Sequence, residues 1–375
     1  MLAFVKKGPG FGAELMEWPD PGIRDPHQVL IEVGACGICG SDVHFYEWPE
    51  EMHAQLSKAI SFPRVLGHEV AGVIREVGSE VTEFRAGDRV VCETWGGCGL
   101  CYYCRLGRFN HCLHQLRIGQ KADGGMAGYV VVRSLSLYRI PEDLSFPEAS
   151  VIEPLGVALH AFERCHLKPG DDLAIIGPGP IGLLAAMIGR SYGVGKLFVL
   201  GLGADRDRLG FASALGAQAL DVTREGYRDI IFEATQGRGV DVVMDMSGGG
   251  DSIPTALKLI KQAGEIIEVG IGPAFAFDYV ELVRREASLI GSYRRLPSTW
   301  LRAINLIATK KVDVTPLITH RLPLSRAREG FETLRERKGL KVVLIPGEDD
   351  PDAVELEGRG TGSTGEGGKG NGNGA

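Results

Sequence analysis

The stretch Leu173-Ala174-Ile175-Ile176-Gly177-Pro178-Gly179-Pro180-Ile181-Gly182 decides the fold of this chain. An apolar strand runs into a G-x-G-x-x-G turn, and a helical stretch follows through Tyr192. Gly177 allows the tight turn, Gly179 lets a pyrophosphate approach the backbone, and Gly182 permits close packing of helix on strand. The helix that begins at Pro180 and Ile181 then presents free N–H groups to the anion. The stretch therefore predicts the first βα unit of a dinucleotide-binding sheet.

The same stretch heads a series of apolar runs at helix-length intervals. The runs are 173–176, 197–200, 217–220, 240–244, 265–269 and 288–292. Such an alternation is typical of an α/β fold with a doubly wound parallel sheet, and it makes an ordinary glycine-rich turn the poorer interpretation of the loop. We therefore expect a Rossmann domain over residues 156–293.

The flanking segments follow other patterns. Residues 1–155 are rich in Gly and Pro, and alternating runs such as Val29-Leu30-Ile31-Glu32-Val33 predict antiparallel strands of a barrel-like or sandwich lobe. Residues 294–347, with a helix predicted over 303–308 and a strand over 341–345, are expected to pack back on that lobe. Residues 348–375 end in a glycine-rich stretch that buries too little apolar area to fold, so we predict a disordered tail without an assigned function.

Composition and charge exclude several classes of function. A length of 375 residues favours two domains, and a net charge of −7 gives no electrostatic footprint for nucleic acid or for an anionic membrane. The opening residues carry charge after too short an apolar run for a signal peptide. We expect a soluble, cytoplasmic protein whose thiols stay reduced.

Four cysteines in the first lobe have the spacing of a metal site. They are Cys98, Cys101, Cys104 and Cys112, in the pattern C-x2-C-x2-C-x7-C. A disulfide scaffold does not suit 8 cysteines in 375 residues. A ferredoxin-type cluster would have its fourth cysteine after three residues, with a proline behind it. The spacing predicts a structural Zn²⁺ with four thiolate ligands and no open position for a substrate.

The position that selects the cofactor departs from the usual pattern. The second strand of a dinucleotide-binding sheet ordinarily ends in Asp or Glu, which binds the ribose diol. Here the run 197–200 ends in Gly201, and Asp205, Arg206 and Arg208 follow. An arginine can pair with a 2′-phosphate, Asp205 can return to the ribose, or the arginines can be solvated residues at a helix start. The sequence leaves NAD and NADP both open.

A second candidate metal site is spread along the sequence. Cys39, His68 and a carboxylate such as Glu153 match the three protein ligands and one open position of a catalytic zinc. Their spacing alone gives little support, because a single histidine or cysteine is usually an ordinary core residue.

Several motifs together resemble the zinc-dependent medium-chain dehydrogenases, closest to the sorbitol (polyol) and L-threonine dehydrogenases. The motifs are Gly37-Ile38-Cys39-Gly40-Ser41-Asp42-Val43-His44, Gly67-His68-Glu69, Gly87-Asp88-Arg89-Val90, the four-cysteine loop, Glu153-Pro154-Leu155, the glycine-rich turn and Pro316-Leu317-Ile318-Thr319-His320-Arg321. They follow the family's order over nearly all of residues 1–346. The resemblance implies a GroES-like β-rich catalytic domain, residues 1–155 and 294–347, beside the Rossmann domain, with the substrate in the cleft between them.

The resemblance also implies a catalytic Zn²⁺ and its ligands. Cys39 and His68 bind the ion directly, and Glu69 is a ligand or a neighbouring carboxylate. Glu153 completes the site, directly or through a water.

In the same family, residues matching Ser41 and His44 relay the proton of the substrate hydroxyl toward solvent. The resemblance thus implies oxidation of a small-molecule alcohol. Zinc lowers the pKa of the hydroxyl, and hydride passes to the nicotinamide ring of NAD or NADP.

The residues after the last Rossmann strand leave the substrate open. Sorbitol-type enzymes have an Arg-Tyr pair there, and this chain has Arg294 followed by Arg295. The extra guanidinium favours a carboxylate-bearing substrate such as threonine or a sugar acid, unless it points to solvent. A polyol is the leading hypothesis, L-threonine or a sugar acid the second, and a non-catalytic nucleotide-binding structural protein the third. The family also implies a homodimer or homotetramer that pairs through the strand near 286–293.

Overall fold

The computed structural model of the protein describes residues 1–272 and 276–347. The predicted disordered tail, 348–375, lies outside these residues. Within the described residues, no helix is long and apolar enough to cross a membrane.

The first lobe consists of short strands and short helices. Its strands are β1 (Leu2–Lys6), β2 (Glu14–Glu17), β3 (Gln28–Gly37), β4 (Arg64–Val65), β5 (Glu69–Val77), β6 (Arg89–Cys92), β7 (Tyr129–Arg133) and β8 (Leu137–Arg139). Its helices are α1 (Gly40–Glu47), α2 (His53–Ala59), α3 (Tyr102–Arg105) and α4 (Phe146–Ser150). Buried and half-buried residues alternate over most of β3, as they do in an antiparallel strand with one face on a core.

Helix α5 (Ile152–Arg164) leads into the second lobe. The strands there are β9 (Leu173–Ile176), β10 (Leu197–Gly201), β11 (Gln218–Asp221), β12 (Val240–Asp245), β13 (Ile260–Glu268) and β14 (Ser288–Gly291). The helices are α6 (Pro180–Tyr192), α7 (Arg206–Ala214), α8 (Tyr227–Ala234), α9 (Ser252–Leu259) and α10 (Tyr279–Arg284). In the described part of the chain these strands pair in parallel in the order β11-β10-β9-β12-β13-β14. The predicted doubly wound sheet is confirmed.

One predicted boundary in this sheet is wrong. β13 begins at Ile260 rather than at 265, because buried Ile260 already pairs with Val240 before the register shifts toward Val242. The break in register interrupts the apolar pattern on which the prediction depended.

The last part of the chain returns to the first lobe. It contains α11 (Pro297–Ala308), β15 (Ile318–Pro323), α12 (Ala327–Arg335) and β16 (Lys341–Ile345). β16 lies between β15 and β3 in the order β15-β16-β3-β5-β6-β8, and β7 also pairs with β3. The strands β2-β1-β4 form a smaller sheet. The start of β16 therefore lies close to the start of β5.

Helix α5 joins the two lobes. Leu155 of this helix belongs to one apolar cluster with Ala35 and Ala71 of the first lobe and Ile175 of the second. Burial of a side chain such as Leu155 contributes about 1.5–3 kcal/mol. Because Glu153 lies in the first turn of α5, this packing holds its carboxylate at the junction of the lobes.

Candidate functional site

The glycine-rich turn between β9 and α6 is shaped to receive a dinucleotide. Gly177 has φ +95°, and a Cβ atom there would lie 2.8 Å from the Cβ atom of Ser247. A Cβ atom on Gly182 would lie 1.9 Å from the carbonyl oxygen of Gly177, so no larger residue fits at either position. A Cβ atom on Gly179 would meet nothing within 4 Å. The backbone is thus open at Gly179, next to Pro180 at the start of α6, where a pyrophosphate would bind.

The end of β10 has no room for an acidic side chain. A Cβ atom on Gly201 would lie 2.8 Å from Cγ of Pro178 in the glycine-rich turn. Asp221, at the end of β11, pairs with Gly201 in the strand register, and a Cβ atom on Gly203 would lie 3.3 Å from its Oδ2. Asp205, in the turn itself, is buried and accepts a hydrogen bond from the backbone N–H of Leu202 at 3.1 Å. Arg206 is exposed.

Two arginines approach the carboxylate of Asp205. Nη1 of Arg337, just beyond α12, lies 3.2 Å from Oδ1 of Asp205, and Nη1 of Arg208 lies 3.9 Å from the same oxygen. Arg208 is therefore not a freely solvated residue at a helix start.

The four predicted thiols lie together. Sγ of Cys98 is 4.0 Å from Sγ of Cys104, and Sγ of Cys101 is 3.9 Å from Sγ of Cys112. Sulfur atoms around a tetrahedral zinc ion at about 2.3 Å lie about 3.8 Å apart, so the cluster fits that ion. Among the residues that the structure describes, these cysteines form the one group of three or more potential ligand atoms within 4.8 Å of one another.

Backbone groups prepare part of this cluster for a cation. Hydrogen bonds from the backbone N–H groups of Leu113 and Cys104 lower the pKa of Cys101 to about 6. Burial raises the pKa of Cys104 to about 12. A Zn²⁺ ion would supply the charge that keeps the buried thiolates ionised.

The candidate catalytic ligands Cys39 and His68 lie at the end of β3 and just before β5. Cys39 is the residue before α1, and its N–H donates to the carboxylate of Asp42 at 3.0 Å. Asp42 Oδ1 also lies 3.3 Å from Nδ1 of His68, although neither atom has a hydrogen bond of good geometry within the described residues. Burial opposes a charge on His68, but Asp42 and the Cys39 sulfur outweigh it and raise the pKa of the ring. Asp42 therefore occupies the Nδ1 side and leaves Nε2 for a metal ion.

The two candidate carboxylate ligands each contact a buried cation. Both oxygens of Glu69 lie 2.8 Å from Nζ of Lys341. Oε1 of Glu153 lies 2.6 Å from Nη2 of Arg295 and 3.3 Å from Oγ1 of Thr94. The structure thus brings the Cys39 sulfur close to the His68 ring. It places Glu69 and Glu153 in separate ion pairs, each with its own buried cation.

The residues of the predicted proton relay lie on α1. Ser41 is half-buried and His44 is exposed, three positions further along the helix. Residues at this spacing share a helix face, so the pair extends from the interior toward solvent.

The two arginines predicted for the substrate are both buried. Arg294 stacks on Trp95, with its guanidinium carbon 3.5 Å from the ring centre, and its Nη1 donates to the carbonyl oxygen of Asn110. Burial lowers the pKa of Arg294 to about 10. Arg295 is 2% exposed and lies between Glu153 and Glu93, 3.0 Å from Oε1 of the latter. The alternative that Arg295 points to solvent is wrong, because these two carboxylates hold it inside.

Comparison with known proteins gives consistent matches along the chain. Residues 25–142 match the alcohol dehydrogenase GroES-like domain, and residues 180–309 match the zinc-binding dehydrogenase family. A sorbitol dehydrogenase from Halalkalibacterium halodurans is 35% identical over 92% of this chain and 99% of its own length. An L-threonine 3-dehydrogenase from Bacillus velezensis is 36% identical, over 92% and 99% of the two chains. The chain belongs to the zinc-dependent medium-chain dehydrogenase family.

A solved zinc-binding dehydrogenase from Sinorhizobium meliloti 1021, bound to NADP, has the same fold. It is 29% identical with a TM-score of 0.81, over 92% of this chain and 99% of its own. As a zinc-dependent medium-chain dehydrogenase, the chain is an oxidoreductase of the alcohol dehydrogenase type that uses zinc and NAD or NADP. The non-catalytic structural protein considered from the sequence is therefore wrong.

Some residues of this medium-chain dehydrogenase site were not predicted from the sequence. Lys341, Thr94, Arg337 and the role of Asp42 all depend on contacts between distant segments. Only Lys341 has a local signal, since a lysine heads the otherwise apolar strand β16 and is 2% exposed. A buried lysine implies a buried acidic partner, but the sequence does not say which one.

Proposed function

We propose that this dehydrogenase oxidises a secondary hydroxyl of a polyol such as sorbitol to a ketone. The observation that supports a polyhydroxy substrate is the polar lining beside His68. Oγ1 of Thr94 lies 2.9 Å from the carbonyl oxygen of His68 and 3.3 Å from Oε1 of Glu153, which also contacts Arg295. A polar lining favours a substrate with several hydroxyl groups over a simple alkyl alcohol, because hydroxyl groups can form hydrogen bonds with these side chains.

In this proposal Cys39 Sγ and His68 Nε2 hold the catalytic zinc, and Asp42 orients the histidine ring. Glu69 and Glu153 complete the surroundings of the ion, directly or through water. When bound, zinc supplies a Lewis acid that lowers the pKa of the substrate hydroxyl, and the dinucleotide accepts hydride.

The protein's own proton path runs along α1. Ser41 Oγ receives the proton of the substrate hydroxyl and passes it to His44, which is exposed and releases it to water. On the cofactor side, Gly177 and Gly182 allow the tight turn and the close packing of α6, and Gly179 lets the pyrophosphate approach the backbone. A ribose or a 2′-phosphate would lie near Asp205.

Arg294 and Arg295 remain candidate substrate-site residues in this proposal. Because Arg295 already neutralises Glu153, we expect it to act on the substrate through that carboxylate. An acid substrate, such as L-threonine or a sugar acid, would instead need a guanidinium free to pair with it.

A substrate panel tests the proposal. Purified enzyme is assayed with sorbitol, xylitol, L-threonine, L-idonate and 2,3-butanediol against NAD and NADP, and kcat/KM is compared. We expect the highest value for sorbitol or xylitol. A higher value for L-threonine or L-idonate would contradict the polyol proposal and favour the corresponding acid as the substrate.

A pair of substitutions tests the catalytic metal. Cys39→Ser and His68→Ala should abolish turnover while circular dichroism shows a folded protein, because each removes a zinc ligand. Cys165→Ser, at a half-buried thiol that donates to the carbonyl oxygen of Phe162, is the matched control and should keep full activity. Undiminished activity in either ligand variant would contradict a catalytic zinc site at these residues.

We also propose the domain limits predicted above, namely 1–155 with 294–347 and 156–293. A homodimer or homotetramer would pair through β14, which has exposed Leu289 at the edge of the sheet. A cytoplasmic location is supported by the eight cysteines, all of which are unpaired. Light scattering of the purified enzyme tests the assembly, and the expected mass is two or four times that of the chain.

A further inference from the structure

The turn that follows β10 contains a cluster of charged residues that the reaction itself does not use. β10 ends at Gly201, beside the glycine-rich turn, and this edge of the sheet is where the adenosine ribose of a dinucleotide binds. The acid that would select NAD is missing, and the contact of Gly201 with Pro178 leaves no space for one. Discrimination between NAD and NADP must therefore depend on other residues nearby.

Three charged side chains approach one another there. Asp205 is 8% exposed, and its carboxylate accepts the Leu202 N–H through Oδ2. Arg208 and Arg337 both approach Oδ1, at 3.9 Å and 3.2 Å. These three residues carry two positive charges and one negative charge. The Asp221 carboxylate beside Gly203 is paired with Arg224 at 3.4 Å, so it does not cancel the positive charge that the two arginines leave.

Arg208 has a guanidinium donor without a hydrogen-bond partner in the part of the chain that the structure describes. Its side chain is 17% exposed, and Nε is buried without a hydrogen-bond partner in the described residues. Burial, and then the charge of Arg337, lower the pKa of Arg208 against the pull of Asp205. An anion with several acceptor oxygens would satisfy the free donors and the excess positive charge together.

Arg337 comes from a distant part of the sequence and has an unfavourable backbone conformation. It lies 132 residues from Asp205, at the second position after α12. Its φ is +57°, in the left-handed region where a helix usually ends in glycine. Placing a side chain there costs about 1–2 kcal/mol, and glycine would avoid this cost at a helix end.

We propose that this dehydrogenase selects NADP, and that Arg337 is a specificity-determining residue that binds the 2′-phosphate together with Arg208. The phosphate carries about −1.5 to −2 charges and three strong acceptor oxygens, which match the two guanidinium groups. Asp205, held by the Leu202 N–H, balances one of the two positive charges before the cofactor binds. This inference rests on the proposed use of a dinucleotide but not on the identity of the alcohol.

Binding of cofactor fragments tests the proposal without turnover. Isothermal titration calorimetry compares 2′,5′-ADP with 5′-AMP on the wild-type enzyme, Arg208→Gln and Arg337→Gly. We expect the wild type to bind 2′,5′-ADP at least about 10-fold more tightly than 5′-AMP, and each variant to lose about 10-fold for 2′,5′-ADP only. Arg337→Gly suits the left-handed position, so the loss cannot come from unfolding, and thermal denaturation should show equal or higher stability.

Arg335→Gln is the matched control. Arg335 lies two residues from Arg337 and pairs with Glu332 on the surface, so its loss should leave both affinities unchanged. Equal binding of the two nucleotides by the wild type, or an unchanged ratio in Arg337→Gly, would overturn the proposal and leave a dinucleotide site in place. Failure of both nucleotides to bind would overturn the dinucleotide site as well.

Asp205→Asn separates the proposal from its main competitor. The asparagine oxygen can still accept the Leu202 N–H, and removal of the negative charge should keep or raise kcat/KM with NADP. If Asp205 binds the ribose diol of NAD instead, NAD is the preferred cofactor and its kcat/KM falls more than about 10-fold in this variant. That result would overturn the assignment of the cluster to NADP.

Discussion

The ammonium nitrogen of Lys341 lies 2.8 Å from both carboxylate oxygens of Glu69, and both side chains are buried. The partners are 272 residues apart and come from β16 and β5, which flank β3 in one sheet. Nζ of Lys341 also donates to the carbonyl oxygen of Ile38 at 3.1 Å, next to Cys39. Although burial opposes it, the Glu69 carboxylate raises the pKa of Lys341. Lys341 therefore holds the residue next to each candidate zinc ligand, namely Ile38 beside Cys39 and Glu69 beside His68.

Lys341→Met should destabilise the protein by about 3–5 kcal/mol, because it leaves the carboxylate of Glu69 buried without a partner. The double variant Lys341→Met with Glu69→Gln should recover part of this loss, since no unpaired charge remains. Urea unfolding of the wild type, both single variants and the double variant gives the coupling free energy. Additive single effects would contradict a direct ion pair.

Arg295 gives a second test of a buried charge. Arg295→Met leaves Glu153 and Glu93 without their shared cation and should also cost about 3–5 kcal/mol of stability. Arg302→Gln removes a surface arginine that is 64% exposed and pairs with Glu163, so it should be close to neutral. Urea unfolding compares the two variants. Equal effects would mean that Arg295 is no more important to the fold than a surface residue.

Much of the fold and part of the site could be predicted from the sequence, because some of the signals are local. The glycine-rich turn and the thiol cluster each lie within about 15 residues, so spacing and steric needs identify them. The pairs Lys341–Glu69 and Arg295–Glu153 have no such signal. Each joins segments that meet only after the sheets have formed, and one sequence does not show which buried acid a buried cation will contact.

The thiol cluster should hold one of about two zinc ions per chain. Cys112→Ser should lower the zinc content by about one ion per chain and lower the thermal midpoint, because a structural zinc contributes directly to folding. Plasma mass spectrometry of the purified protein measures the metal. Cys165→Ser, outside the cluster, should keep the full zinc content. Unchanged zinc in Cys112→Ser would exclude the cluster as a zinc site.

Two carboxyl groups face each other where β12 and β13 end. Asp245 is paired with Glu268 in the register of the two strands. In the described part of the chain, Oδ2 of Asp245 and Oε2 of Glu268 are buried without a hydrogen-bond partner. Burial, and then the charge of Asp245, raise the pKa of Glu268 to about 8. A proton on Glu268 provides the missing hydrogen bond, so the folded state favours the protonated form.

Glu268→Gln should therefore remove part of the pH dependence of stability. Because the folded state raises the pKa of Glu268, the stability it contributes is fully present below about pH 4.5, its ordinary pKa, and is lost as the pH rises through about 8. The glutamine never loses a proton. The variant should thus match the wild type near pH 5 and exceed its stability at pH 9 by on the order of 2 kcal/mol, a reduced figure because the side chain is partly exposed. Urea unfolding from pH 5 to 9 at constant ionic strength measures the difference. A Glu268→Gln curve parallel to that of the wild type would contradict a proton held by this pair.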